Sequence, residues 1–159
     1  MRETWSDDGG ASAARVERLL DLTPAAASLR AYRDAVWRDA ATDPLLLELC
    51  RQRLGRLLGL DPRGMKPHPL AVAAGLTPEL LDELPRWPTS SRFSERQRAA
   101  LEFAEQWLLD PSGMTDEHCA RLRAALGDQP CAAFTMGLAL VEALLRFELA
   151  LATCLEDDA

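Results

Sequence analysis

The sequence lacks the closely spaced cysteines and histidines that most thiol and metal chemistry requires. Its histidines are His68 and His118, and its four cysteines stand far apart at 50, 119, 131 and 154. No CxxC pair is present, and no His/Cys group has the spacing of metal ligands. We therefore expect no metal, no cofactor and reduced, mostly buried thiols, because a free cysteine packs as a small apolar residue.

Positive charge is also scarce, which bears on the partners to be expected. The chain has 18 basic and 25 acidic residues, a net charge of −7. A nucleic-acid partner is not expected, because a phosphate backbone requires a positive surface. The opening MRETWSDDGG has no basic, apolar leader, so we expect a cytoplasmic protein. The most apolar segment, residues 131–154, contains Glu142, Arg146 and Glu148, which argues against a membrane span.

No segment has the alternating pattern of a strand, whereas helical spacing recurs along the chain. We expect a disordered tail over residues 1–11 and one all-α domain of seven or eight helices over 12–159. The first helix is predicted at Ser12–Leu22. The following helix starts are predicted from capping residues and prolines at Thr23-Pro24, Asp43-Pro44, Thr77-Pro78, Ser94, Thr115 and Asp128-Gln129-Pro130.

The stretch from Leu45 to Gly75 is the most informative part of the chain. Its first helix, predicted from Pro44 to about Leu58, has an apolar arc that includes Cys50 and Arg53. The opposite, polar arc contains Glu48, Arg51, Gln52 and Gly55. A break bounded by Gly59 and Gly64 precedes a short helix that ends near Gly75. On this pattern alone, Glu48 is predicted to be a solvated surface charge.

Two blocks in this order carry a family resemblance over about Pro44–Leu155. One is Glu48-Leu49-Cys50-Arg51-Gln52-Arg53, leading through Leu58-Gly59 to Ala73-Ala74-Gly75. The other is residues 93–101, FSERQRAAL, ahead of two further helices. The chain resembles the carboxymuconolactone decarboxylase and alkylhydroperoxidase D (AhpD-like) superfamily. The resemblance implies an AhpD-like helical bundle that assembles as a trimer or hexamer.

The redox branch of that family has a CxxC pair, a histidine four residues later and a glutamate on the preceding helix. In an ungapped comparison, Leu60 and Arg63 stand at the two cysteine positions and Pro67 at the histidine. His68 lies one residue further on, and Glu48 matches the glutamate. Thiol peroxidase activity is therefore not expected, because neither leucine nor arginine can replace a thiolate nucleophile.

Glu48, His68 and Arg63 nevertheless remain candidate site residues. The resemblance places Glu48 toward a cleft, and His68 is a possible general acid or base because its pKa is near neutrality. Arg63 is a candidate anion clamp beside Leu60, since a guanidinium binds a carboxylate through two hydrogen bonds. The plainer interpretation is that Glu48 is a surface charge, His68 a helix-terminal histidine and Arg63 a loop cation.

The final helix carries a second candidate set. Glu142 and Arg146 are four residues apart, which favours a structural ion pair. The resemblance implies polar lining of a pocket as the alternative. Arg53 is predicted to bind helix-end carbonyls or an acid such as Glu142.

The four tryptophans are scattered along the chain. Trp37 and Trp107 are expected in the core, and Trp87 in a proline-flanked loop is expected at a pocket mouth or a subunit contact.

Three functions follow as hypotheses. The first is a cofactor-independent acid/base enzyme, of decarboxylase, lyase or isomerase type, acting on a small anionic or carbonyl-bearing molecule. The second is a non-catalytic binding or assembly protein whose site has decayed. The third, redox chemistry at Cys50, is disfavoured because Cys50 lies about 160° around the helix from Glu48. A homo-oligomer is expected through the apolar final helix.

Overall fold

The computed structural model describes residues 21–155, with side chains described up to residue 150. Over this range the chain is all-α and contains no strand, as predicted. The described residues form seven α-helices: α1 (Ala26–Arg38), α2 (Pro44–Leu57), α3 (Pro69–Ala73), α4 (Pro78–Glu83), α5 (Glu95–Leu109), α6 (Asp116–Leu126) and α7 (Asp128–Leu155). The predicted tail, and all but the last two residues of the predicted Ser12–Leu22 helix, lie outside the described residues.

Most helices begin at the capping residues that the sequence indicates. The side chains of Asp43 and Thr77 accept hydrogen bonds from the backbone of α2 and α4. Ser94 and Gln97 form a reciprocal capping box at the start of α5. The α1 prediction is wrong in detail, because α1 begins at Ala26 and its N-cap residue has no side-chain hydrogen bond.

The core is built around α2, which packs against α3, α5 and α7. Leu47, Leu49, Cys50 and Leu54 on α2 are completely buried. The close approach of α7 depends on Gly137, where an added Cβ would lie 3.1 Å from both methyl groups of Leu47. The predicted apolar arc of α2 is therefore confirmed as the centre of the core.

The polar arc of α2 differs from the prediction. Glu48, Gln52 and Gly55 are buried rather than solvated. The loop after α2 returns over this face, and an added Cβ at Gly55 would lie 2.3 Å from the sulfur of Met65. Helical periodicity predicted the two faces correctly, but it could not show that a loop covers the second one.

The expected positions of the tryptophans and cysteines agree with the structure only in part. Trp37 is buried and Trp107 is half-buried against the core, as expected. Trp87 is also buried, which argues against its predicted place at a pocket mouth, and its subunit contact stays a prediction. Cys119 is exposed and Cys131 is half-buried, so among the three cysteines whose side chains are described the expected full burial holds for Cys50 alone.

The last helix, α7, packs against α1, α2 and α6. Its segment Asp128–Ala150 is long and apolar enough to cross a membrane by length and composition, a property that buried helices of soluble proteins share. About 33% of the most apolar window is buried in the chain. Met136 and Phe147 are among its exposed residues.

Candidate functional site

Glu48 is a completely buried carboxylate that is fully engaged by its neighbours. Arg51 donates from Nε to Oε2 at 2.9 Å and from Nη2 to Oε1 at 2.6 Å. Gln52 donates from Nε2 to Oε1 at 2.8 Å. A bidentate arginine and an amide offset the cost of burying the charge. Glu48 is therefore neither a solvated surface charge nor a base facing an open cleft.

The same two side chains hold the loop that follows the 3₁₀ turn Pro62–Gly64. Arg51 also donates from Nη2 to the carbonyl of Lys66 at 2.7 Å, and Gln52 donates from Nε2 to the carbonyl of Met65 at 2.9 Å. Two consecutive carbonyls are thereby anchored to α2 through the Glu48 network. This network fixes the path of the chain up to His68.

His68 is the N-cap residue of α3 and lies against an aromatic ring. Its Nδ1 accepts a hydrogen bond from the backbone N–H of Leu70 at 3.2 Å. Its imidazole is stacked on the indole of Trp37, with ring centroids 4.0 Å apart and planes 5° from parallel. Because Nδ1 accepts, the neutral ring carries its proton on Nε2. His68 thus offers an Nε2–H donor to its surroundings.

Burial lowers the pKa of His68 below its ordinary value of 6.5, and this is the largest influence. The charges of Glu48 and Asp34 act in the opposite direction, while Arg51 and Arg33 lower the pKa further. Protonation of Nδ1 would also remove the cap of α3. The neutral ring is therefore the dominant form at neutral pH.

His68 lines a cavity of about 320 Å³, which we call the histidine cavity. Asp34, Trp37 and Arg38 come from α1, and Pro69 and Leu70 come from the start of α3. The cavity thus combines a neutral hydrogen-bond donor, a carboxylate, a guanidinium and apolar surface. Such a combination suits a small polar molecule with an apolar part.

A second cavity of about 190 Å³, which we call the basic cavity, lies at the loop after α2. Its polar lining consists of Gln52, Arg56, Arg63, Lys66 and Asp82, and prolines, Met65 and Leu81 supply the apolar part. Three cations therefore oppose one carboxylate. Gln52 joins this cavity to the buried Glu48 network.

The structure does not bring Glu48, His68 and Arg63 into one cavity. Arg63 is exposed and lines the basic cavity, whereas His68 lines the histidine cavity. Glu48 is buried and bonded to Gln52 at the wall of the basic cavity. Leu60 is half-buried and packs against the core.

Glu142 and Arg146 form the predicted ion pair, at 2.8 Å between Nε and Oε1. The indole of Trp107 donates to Oε2 of Glu142 at 2.8 Å. Neither residue lines the two cavities described above. The ion-pair prediction is confirmed.

Arg53 pairs with Glu105 at 2.5 Å, and the indole of Trp87 donates to the same carboxylate at 2.7 Å. The partner of Arg53 is therefore an acid, as predicted, but it lies on α5 instead of α7. This contact also accounts for the burial of Trp87.

Cys50 is completely buried, and burial raises the pKa of its thiol far above the ordinary value. A thiolate is the reactive form of cysteine, so Cys50 is an inert core residue. Among the described residues, no group of three or more His, Cys, Asp or Glu side chains could hold a metal ion.

Sequence reasoning missed several residues of the site. Trp37 was assigned to the core alone, although it also stacks on His68. Asp34, Arg38 and Arg56 had no distinguishing pattern, because their role depends on cavities formed between elements distant in sequence. Arg51 and Gln52 could have been found, since both are three or four residues from Glu48 and therefore share its helix face.

Over residues 21–155 the protein is all-α, and Gln52 connects its buried Glu48–Arg51 pair to the basic cavity. No protein-family model and no curated protein matches the sequence.

Proposed function

We propose that this protein is a cofactor-independent acid/base enzyme acting on a small carbonyl-bearing or anionic molecule in the histidine cavity. The observation that carries the proposal is the position of His68 at the wall of that cavity, with its Nδ1 accepting a hydrogen bond from the backbone N–H of Leu70. Its Nε2–H is left as the donor toward a ligand. A neutral imidazole donor can polarise a carbonyl oxygen and so acidify the adjacent carbon.

The other groups of the cavity have compatible chemistry. Arg38 can bind a carboxylate of the ligand, and Asp34 can accept a proton as a general base. Trp37 supports the imidazole from one face and fixes its orientation. Loss of a proton or of CO2 next to the polarised carbonyl is the reaction class that this set supports. It agrees with the decarboxylase-type chemistry that the family resemblance implies.

In this proposal Glu48 is a positioning residue instead of a proton carrier. Its oxygens already accept three hydrogen bonds from Arg51 and Gln52, so it has little capacity for a substrate proton. It acts through those side chains, which anchor the carbonyls of Met65 and Lys66 ahead of His68. Arg63 has no part in this chemistry, because it lines the other cavity.

A test uses acetoacetate and levulinate as carbonyl-acid probes in D2O, with deuterium incorporation and decarboxylation followed by NMR. We expect the protein to accelerate either reaction with at least one probe. His68→Asn, which preserves an N-cap acceptor, should lower the rate about 10²–10⁴-fold. His118→Gln is the matched control, since His118 completes the capping box of α6 with Thr115, does not line the cavity and should be dispensable.

No acceleration with either probe, or an acceleration that His68→Asn leaves unchanged, would contradict the proposal. The second candidate is a protein that binds without catalysis, and the full engagement of Glu48 favours it. That candidate predicts ligand-induced shifts of the Trp37 indole N–H signal without turnover.

A further inference from the structure

The basic cavity concentrates positive charge in a protein that is acidic overall. The chain carries a net charge of −7, yet three cations and one acid line this cavity. Glu48, the nearest buried acid, is neutralised by Arg51 and therefore does not cancel the charge of the cavity. A potential of this kind attracts anions and raises their local concentration.

Arg56 supplies a second, independent observation. Its Nε is buried and has no hydrogen-bond partner among the described residues. A buried donor without an acceptor is unfavourable, so an acceptor that reaches it is strongly favoured. A carboxylate that accepts from Nε and Nη together has the side-on geometry that guanidinium groups favour.

The positions of the two arginines set the shape of the site. Arg56 lies on the last turn of α2, and Arg63 lies in the 3₁₀ turn Pro62–Gly64, which the side chain of Asp61 caps at 2.9 Å. The two guanidinium groups thus reach the cavity from different elements. The apolar part of the lining includes Met65 and Leu81.

The geometry points to the basic cavity as a binding site for a small carboxylate that carries a short apolar body. The carboxylate lies between Arg56 and Arg63, and the apolar body contacts Met65 and Leu81. The volume of about 190 Å³ is below the range of about 300–1,000 Å³ for drug-sized ligands, so the ligand has few heavy atoms. This site does not depend on the chemistry proposed for His68, since the two cavities share no lining residue.

Butyrate is the probe for this site, and butyramide is its neutral isostere of similar shape. The readout is the NMR shift of the Arg56 Nε–H signal during titration of the full chain. We expect saturable binding of butyrate and binding of butyramide at least tenfold weaker. Inorganic phosphate should bind more weakly than butyrate, because it has no apolar part to place against Met65 and Leu81.

The variants Arg56→Gln and Arg63→Gln should each weaken butyrate binding at least tenfold, measured by calorimetry. Arg63 is exposed in a surface turn, so its replacement tests the site without disturbing the core. The matched control is Arg121→Gln, which removes the same charge from a surface pair with Glu102 that does not line the cavity, and it should change affinity less than twofold.

Equal affinity for butyrate and butyramide, or unchanged affinity in Arg63→Gln, would overturn the proposal. Tighter binding of phosphate than of butyrate would overturn the assignment to a carboxylate. Turnover at the histidine cavity is measured separately, so neither result decides the function proposed for His68.

Discussion

The pairing of Glu48 with Arg51 shows how burial changes the role of a glutamate from a solvated charge to an internal ion pair. Glutamate on a polar helix arc is ordinarily solvated, yet here the carboxylate has no exposed surface. The partners of Glu48 could be predicted from the spacing of Arg51 and Gln52, three and four residues further along the same face. The covering loop could not be predicted, because its position depends on contacts formed only in the folded chain.

The two partners of this ion pair should differ in their effect on stability. Arg51→Met leaves the Glu48 charge buried without its cation, and we expect the free energy of unfolding to fall by about 3–5 kcal/mol. Glu48→Gln should cost less, about 1–2 kcal/mol. The reason is that the Arg51 side chain is 18% exposed and can turn its charge toward water.

Urea denaturation at neutral pH measures this difference. Arg121→Met is a suitable control, because its partner Glu102 is on the surface and such pairs contribute about 0–1 kcal/mol. An Arg51→Met variant that is no more destabilised than Glu48→Gln would contradict this prediction.

Helix boundaries were the best-predicted feature at the level of elements. Capping side chains and prolines act through local sterics and hydrogen bonds, so the starts of α2, α4, α5 and α6 follow from a few adjacent residues. His68 is a partial exception, since the sequence indicated a helix-terminal histidine but not that its imidazole accepts the capping hydrogen bond. An unprotonated imidazole nitrogen can cap a helix, but only while the ring is neutral.

The stability of the protein should therefore depend on pH through His68. Its folded-state pKa lies below 6.5, so protons bind more readily to the unfolded chain. The stability contributed by the neutral ring is present above pH 6.5 and is lost as the pH falls below it. Between pH 7.5 and 5.5, the free energy of unfolding should fall more for the native chain than for His68→Asn.

Denaturant titrations at several pH values would check this, with His118→Gln as a control that retains the His68 contribution. An identical pH dependence in the native chain and in His68→Asn would show that the ring is not held neutral by folding.

At the scale of the whole molecule, the all-α architecture was predictable, whereas the convergence of the site residues was not. Each helix has a clear period, so fold class follows from local pattern. Which loops and faces meet depends on packing between elements far apart in sequence. This is why Arg63 and His68, five residues apart, line different cavities while Trp37 and His68, far apart in the chain, are in contact.

The outer face of α7 bears on the expectation of a homo-oligomer. Met136 and Phe147 are 54% and 38% exposed. They are about three helical turns apart, on the same face as the exposed Ala139 and Ala143. An apolar stripe of this kind is typical of a surface that a second copy covers.

We therefore expect the native chain to self-associate in sedimentation experiments, and Met136→Glu and Phe147→Glu to shift it toward the monomer. Leu109→Glu, which changes a 63% exposed apolar residue at the end of α5, should leave the association state unchanged. A native chain that sediments as a monomer at micromolar concentration would contradict this expectation.

The segment from Met65 to Leu70 contributes to both cavities. Its first three residues line the basic cavity and its last three line the histidine cavity, so one stretch of backbone connects the two linings. We therefore expect a shift of this stretch on binding at one cavity to change the affinity of the other. The hydrogen bonds from Arg51 and Gln52 to the carbonyls of Lys66 and Met65 oppose such a shift.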